Sequence, residues 1–485
     1  MAKIINTATR KPEDFDEWTR EQIYNGLDCA VTLEVFNSIA PHLDNHTVGT
    51  YNFSRDLQGP VLEMRLRGIL IDQVRKEEVI EEYSQILDQL DAQLHKIVFE
   101  GVGMVGFNWQ SDDDVKTLLY SHLGLPIQHR RGRPTSDRAA REKLEEYLIA
   151  RPIVSHLNAM ADIGKKISVL RTKVDSDGRI RTSYNIAGTN TGRFSSSLSE
   201  FGTGGNLQNI EESLRSIFIA DPGWKFAKFD AKSGESFVVG AIEWNLFGDG
   251  RYLAACESGD PHTAAARICW PELGWTGDLK RDKLTAETPF YRHYTYRFTC
   301  KKLGHGSNYG GQAATLAEQS RIPIKIVQSF QPKYFKAFPA HLAWQEWVGT
   351  QLRTGTLISL MGRKRQFWGR RSDPATLREA IAYDPQSSLA DIVNDAMLHL
   401  WRDRVALVML QDHDAITFMY PEKEEGRVVP TLWQALPKKV PLARGRELCI
   451  PYDCKVGWNR GDFSEKNPNG LKDWAGEDKR KRGRK

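Results

Sequence analysis

Residues 410–418 read LQDHDAITF, so Asp412 and Asp414 flank His413 inside an otherwise apolar run. Val, Ile, Phe and Tyr are enriched on both sides of this break, as in strands, and strand–polar break–strand spells a hairpin with these three residues at its tip. Carboxylates crowded on a half-buried tip repel one another unless a cation neutralises them. A partner acid stands in FDAKSGE, residues 229–235, where Asp230 ends a short strand and Glu235 opens the following helix. Two carboxylates from neighbouring strands suit a pair of Mg²⁺ ions, which sit about 3.5–4 Å apart and clamp the attacking and leaving oxygens of an in-line phosphoryl displacement. Such sites commonly use one or two carboxylates, with substrate phosphates and water completing the shell.

A third group lies in RFTCKKLGHGSNYG, residues 297–310. On a helix Arg297, Lys301, His305 and Tyr309 follow one another at four-residue steps, each drifting about 40°, and so share one face. A row of guanidinium, ammonium, imidazole and phenol can hold a triphosphate at one end and a base at the other.

The elements that must position these groups are legible in the periodicity. Residues 76–98 carry Val79, Ile80, Tyr83, Ile86, Leu87, Leu90, Leu94 and Ile97 at helical spacing, a long amphipathic helix. Residues 126–142 form a basic, turn-rich, exposed segment. Residues 188–210 are too long and too polar for a simple connection, which marks a functional loop. KFAKFD reads as a strand with ESFVVGAIEW a helix after it, 286–320 as mostly helical, 355–370 as a hairpin and 376–401 as a helix. A helical first third followed by strands interleaved with long helices is an α+β arrangement.

At 485 residues the chain exceeds a single core. With 40% apolar and 27% charged residues it has the composition of a soluble globular protein. It contains no apolar run of membrane-spanning or signal-peptide length, so the cytoplasm is the default compartment and no membrane partner is expected. The six cysteines are scattered without a zinc-type spacing and read as reduced packing residues. The net charge of +5 is accounted for by a final KRKRGRK that alone carries six positive charges, leaving the rest close to neutral; the tail is either a solvated end or a nonspecific phosphate-binding arm.

The three chemical segments, in this order, resemble motifs A, B and C of family A DNA polymerases, the DNA polymerase I family. Asp230 and Glu235 match motif A, Arg297, Lys301, Gly306, Tyr309 and Gly310 match motif B, and His413 with Asp414 matches motif C. TGRFSS with Arg193, NLQNI with Asn206 and Gln208, GDPH with His262, and REAIAYDPQ with Arg378 and Gln386 agree as well. The resemblance implies a right hand: a thumb at 46–175, an antiparallel palm sheet from 176–260 and 376–465, helical fingers at 261–375, and a disordered basic tail at 466–485. It implies template-directed DNA synthesis on a primer 3′-hydroxyl, with primer–template DNA and dNTPs as partners and a monomeric polymerase chain. Asp230, Asp414 and the carbonyl of Ala231 would hold two Mg²⁺. Arg297, Lys301 and His262 would meet the triphosphate, with Lys301 a proton donor to pyrophosphate. His305 would face the sugar and Tyr309 the templating position. Arg193, Asn206, Gln208, Arg378, Gln386 and His413 would lie along the DNA. Glu235 would occupy the room a 2′-hydroxyl needs, which favours DNA synthesis over the chemistry of single-subunit RNA polymerases.

The sequence also departs from that pattern. Ala415 stands where the family carries Glu, and Asp412 precedes His413; strand alternation puts 412 and 414 on one side and 415 on the other, so Asp412 is expected to replace the lost acid at the metals. A catalytically weak, polymerase-shaped DNA-binding protein is the alternative that Ala415 raises. Residues 1–45 resemble the end of the family's 3′–5′ exonuclease domain, with Tyr24 and Asp28 matching its third motif. One carboxylate cannot hold two ions, so the segment is expected to be either a docking piece for a separate exonuclease chain or a remnant, an arrangement that leans toward phage.

Overall fold

The computed structural model describes residues 11–474. A lone helix, α1 (Glu17–Ile39), starts at an Asp16 cap and buries none of its residues. Helix α2 (Asn45–Arg67) begins with a capping box in which Asp44 and Thr47 satisfy each other's backbone amides. The amphipathic stretch becomes α3 (Gln73–Val102), which pairs with α4 (Arg151–Leu170). Leu94, Val98, Leu118, Leu119, Val154 and Leu157 close a core there that is separate from the main one. Two cores are what a chain of this length requires, and the smaller one is built from residues between Leu94 and Met160.

The main core surrounds a five-stranded antiparallel sheet. Its strands are β1 (Trp224–Ala231), β2 (Leu407–Asp412), β3 (Ala415–Pro421), β4 (Tyr452–Gly457) and β5 (Lys472–Asp473), in the order β2-β3-β1-β4-β5. One face is apolar: Phe229 meets Phe418 edge-on and packs tilted against Trp433 behind the sheet. The other face carries Lys228 and Asp230. Helix α5 (Gly234–Phe247) follows β1 directly, and α6 (Pro261–Cys269) packs against α7 (Tyr296–Asn308). The long α8 (Pro374–Arg402) buries residues on most of its circumference, as a helix enclosed between layers must.

Most sequence expectations hold, including the hairpin within 355–370, formed by Thr356–Ile358 and Lys364–Gln366. Four details differ. Residues 286–320 are helical only after a small hairpin of Pro289–Tyr291 and Tyr294–Thr295. Residues 466–474 are ordered: Leu471 is buried, and Lys472–Asp473 pairs with β4, because an apolar side chain and two ladder partners sit in a stretch whose polar composition concealed them. The expected disordered tail from 475 onward, and residues 1–10 of the first segment, lie outside the described residues. Cys29 and Cys449 are exposed, so they are not packing residues, while the other four cysteines are buried and all six are reduced. Finally, the β2–β3 turn contains only His413 and Asp414, with His413 left-handed at φ 60° and Asp412 paired with Ala415. Alternation does not run through a tight turn, so 412 and 415 share a face, contrary to the expectation from an extended strand.

Candidate active site

Asp230 occupies the next-to-last position of the central strand, opposite Ala415 on β3 and Asp453 on β4. Next to it the Ala231 amide donates to the Asp414 carbonyl at 2.9 Å, which stitches the β2–β3 tip to the end of β1. The two aspartates, 184 residues apart in the chain, thereby line one cleft of about 750 Å³. Burial, and secondarily the Asp414 carboxylate, pushes the Asp230 carboxyl up to about 6. Burial raises Asp414 too, although Arg193 draws it back. Each acid suffers from desolvation and from a nearby carboxylate, Asp414 in the case of Asp230 and Glu235 in the case of Asp414, the situation a cation relieves.

The turn between β1 and α5 fixes Glu235. Ser233 is left-handed at φ 51°, and a Cβ on Gly234 would lie 2.5 Å from Leu389 Cδ1, so only glycine lets α5 start this close to α8. Glu235 in that first turn is a hub: Arg193 and the Tyr309 hydroxyl both donate to its carboxylate, and His305 Nε2 lies 3.7 Å away. Burial and the Glu235 charge hold the Tyr309 hydroxyl far above the usual phenol range. His305 packs edge-on against Tyr309, ring centroids 4.8 Å apart.

His262, Lys283, Arg297, Lys301, Lys302 and His305 line the same cleft as Asp230, Glu235, Asp414 and Asp453. Lys301 is exposed. Arg297 is held by Asp260, its Nε donating to Oδ2 at 2.6 Å, with Glu287 3.4 Å from Nη1. Burial lowers the His262 imidazole to about 4, so it is neutral near pH 7 and acts as a hydrogen-bonding group, not as another cation.

Several expected contacts are instead structural in this arrangement. Asn206 caps the turn Leu207–Asn209, accepting from the Gln208 and Asn209 amides. Gln208 is buried and donates to the Gln411 carbonyl at 2.9 Å, bracing the strand that delivers the tip. Asp412 does not line the cleft: Arg460, only 5% exposed, donates to its Oδ2 at 2.8 Å and stacks over Phe218. His413 is exposed and its carbonyl accepts from the Gln411 side-chain Nε2 at 2.7 Å. Arg378 is exposed on α8 beside Gly310, with Gln386 half-buried further along the same helix. Sequence reasoning missed Asp260, whose signal was its N-cap position before Pro261 and His262, and Asp453, which nothing local marked.

The donors Asp230, Asp414 and the Ala231 carbonyl are all oxygens and suit a hard divalent ion. Among the described residues no three His, Cys, Asp or Glu side chains gather tightly enough to enclose an ion by themselves, as expected of a site completed by substrate phosphates.

A family model described as DNA polymerase family A matches residues 77–462. The chain belongs to DNA polymerase family A. It is similar to "DNA polymerase I, thermostable" of Thermus aquaticus, 25% identical across 94% of this chain and 54% of that protein. It is also similar to "DNA polymerase I" of Treponema pallidum, 27% identical across 91% of this chain and 43% of that protein. The chain thus spans about half the length of the curated relatives it matches. Among solved structures it resembles the "POL domain of Pol1 from M. smegmatis complex with DNA primer-template and dNTP", with TM-score 0.67 and 23% identity over 83% of this chain and 69% of that one. The fold of this family A chain is therefore the right hand that its motifs implied.

Proposed function

We propose that the chain catalyses template-directed DNA synthesis, joining a dNMP to a primer 3′-hydroxyl with release of pyrophosphate. The observation that carries this is the cleft itself, which Asp230, Asp414, Arg297, Lys301 and neutral His262 line together. Two Mg²⁺, when bound by Asp230, Asp414 and the Ala231 carbonyl, supply Lewis acidity at the attacking hydroxyl and charge neutralisation at the phosphates. The protein's own share is positioning and preorganised charge. Lys301, exposed, grips the triphosphate and donates a proton to the leaving pyrophosphate, to be reprotonated from solvent. Arg297, fixed by Asp260, offers its remaining N–H groups to the same phosphates, and His262 adds a neutral hydrogen bond. Glu235, tied to Arg193 and Tyr309, closes the space beside the sugar C2′ and selects deoxynucleotides. Arg193 and Gln386 approach minor-groove acceptors common to every base pair, so pairing shape is tested without reading sequence.

The hand divides into thumb 46–175, palm 176–260 with 376–465, and fingers 261–375, and the chain works as a monomer. No described helix is long and apolar enough to cross a membrane, and the cytoplasm is the proposed setting. Trp18, Tyr24, Leu27, Val31, Leu33 and Phe36 on α1 are exposed, which supports docking of a separate exonuclease chain there. This chain alone should then leave a mismatched primer end uncut; visible excision would overturn that part. Extension of a primed template with dNTPs, then with rNTPs, then by Asp230→Asn, tests the main reading. It separates a DNA polymerase from an RNA polymerase and from a catalytically silent DNA-binding protein.

A further inference from the structure

Four positions form one row across the front of the sheet: Asp412, Ala415, Asp230 and Asp453, each paired with the next on the adjacent strand. Directly opposite residues in antiparallel strands point to the same face, with Cβ atoms about 4.5–5.5 Å apart. Asp230 therefore has two immediate neighbours on its own face. One is the Ala415 methyl. The other is the Asp453 carboxylate, which lines the same cleft as Asp230 and Asp414.

Like charges placed directly opposite one another destabilise a sheet, so the Asp230–Asp453 pair needs a compensating cation. The nearest ammonium groups answer only loosely. Lys232 Nζ is 3.9 Å from Asp453 and Lys228 Nζ is 3.9 Å from Asp230, both distances beyond a hydrogen bond. Asp412, at the other end of the row, is paired through Oδ2 with Arg460 and does not line the cleft, its Oδ1 buried without a hydrogen-bond partner. The acid left to serve the cleft beside Asp230 is thus on β4.

Resting on the reading of this cleft as a divalent-metal site, we propose that Asp453 is its third acidic group, acting on the bound ions through their water ligands and fulfilling the role expected of Asp412. It is a positioning residue: one strand away from Asp230, it adds negative charge and an acceptor for metal-bound water without entering the inner shell. Ala415 thereby carries no penalty, because the same flank of charge is provided from the opposite neighbour of Asp230.

Binding of Mn²⁺ alone to the intact chain, followed by electron paramagnetic resonance, tests this directly. Asp453→Asn is expected to weaken Mn²⁺ roughly threefold to tenfold, the scale of losing one charge a few ångströms away in a partly solvated site. Asp453→Glu should restore affinity to within about twofold, and Asp412→Asn should leave it unchanged. Lys232→Met separates the proposal from a merely structural ion pair: removing that positive charge should tighten Mn²⁺, whereas a fall matching Asp453→Asn would overturn the proposal. Wild-type affinity in Asp453→Asn, with binding lost in Asp230→Asn, would overturn it while leaving the metal site intact. Wild-type affinity in Asp230→Asn as well would remove the site reading together with the proposal.

Discussion

Replacing Glu235 by alanine should relax sugar discrimination more than it slows synthesis. The carboxylate is 17% exposed and accepts from Arg193 and Tyr309, so it is held in place by two charge-assisted bonds. A 2′-hydroxyl entering there must displace at least one of them, and each such bond contributes about 1.5–3 kcal/mol. That corresponds to roughly tenfold to 150-fold discrimination per bond, and to about 10²–10⁴ for both. Glu235→Ala removes the obstacle and both bonds, so the ratio of kcat/KM for dNTP over rNTP should fall by about that factor. Glu235→Gln keeps the shape but weakens the bonds and should lie between. Single-nucleotide extension with matched dCTP and CTP gives the ratio. If Glu235→Ala discriminates as well as the wild type, sugar selection lies elsewhere and the hub is only structural.

Other consequences follow from the same geometry. Because burial raises the folded-state carboxyl of Asp230 to about 6, above its usual 3.8, the folded state binds the proton more tightly than the unfolded one; this contribution to stability is full below about pH 4 and lost as pH climbs through 6. Metal-free Asp230→Asn should accordingly melt about 1–2 °C above wild type at pH 7.5 and no higher at pH 4, the effect being muted by the half-open carboxyl, as scanning calorimetry would reveal. Gly234→Ala should cost about 1–3 kcal/mol in denaturant titrations because its methyl strikes Leu389, and the double variant with Leu389→Ala should cost less than the two single substitutions added together. Arg460→Met should destabilise by about 3–5 kcal/mol by stranding the buried Asp412 charge, and Asp412→Asn on top should recover much of that loss, with urea midpoints as the readout.

The parts of the hand that the sequence revealed are those written in local periodicity. Helix 76–98, the 376–401 helix, strand 224–231 and the tip hairpin each carry their own pattern, and Asp230, Glu235, Lys301 and Asp414 sit at fixed places within them. The misreadings share a cause. Asp412 was assigned to the metals by extrapolating alternation through a turn, and its actual partner Arg460 is 48 residues away. Asp453 was invisible because its relation to Asp230 exists only in strand register, across 223 residues of chain. Gln208 reads as a DNA contact, but it is buried and donates to Gln411, a neighbour that only the three-dimensional arrangement shows, while Asn206 is exposed and caps the turn beside it. Long-range pairing, which periodicity does not encode, was the missing information.

Nucleotide addition in this cleft, as proposed, depends jointly on Asp230 and Asp414. This dependence is tested most directly by pre-steady-state extension of a primed template with dNTPs and Mg²⁺, comparing wild type with Asp230→Asn and Asp414→Asn at equal DNA occupancy. The account predicts Mg²⁺-dependent extension by the wild type and a loss of about 10³-fold or more in either variant while both still bind the primed template. Extension at wild-type rate by either folded variant would contradict it.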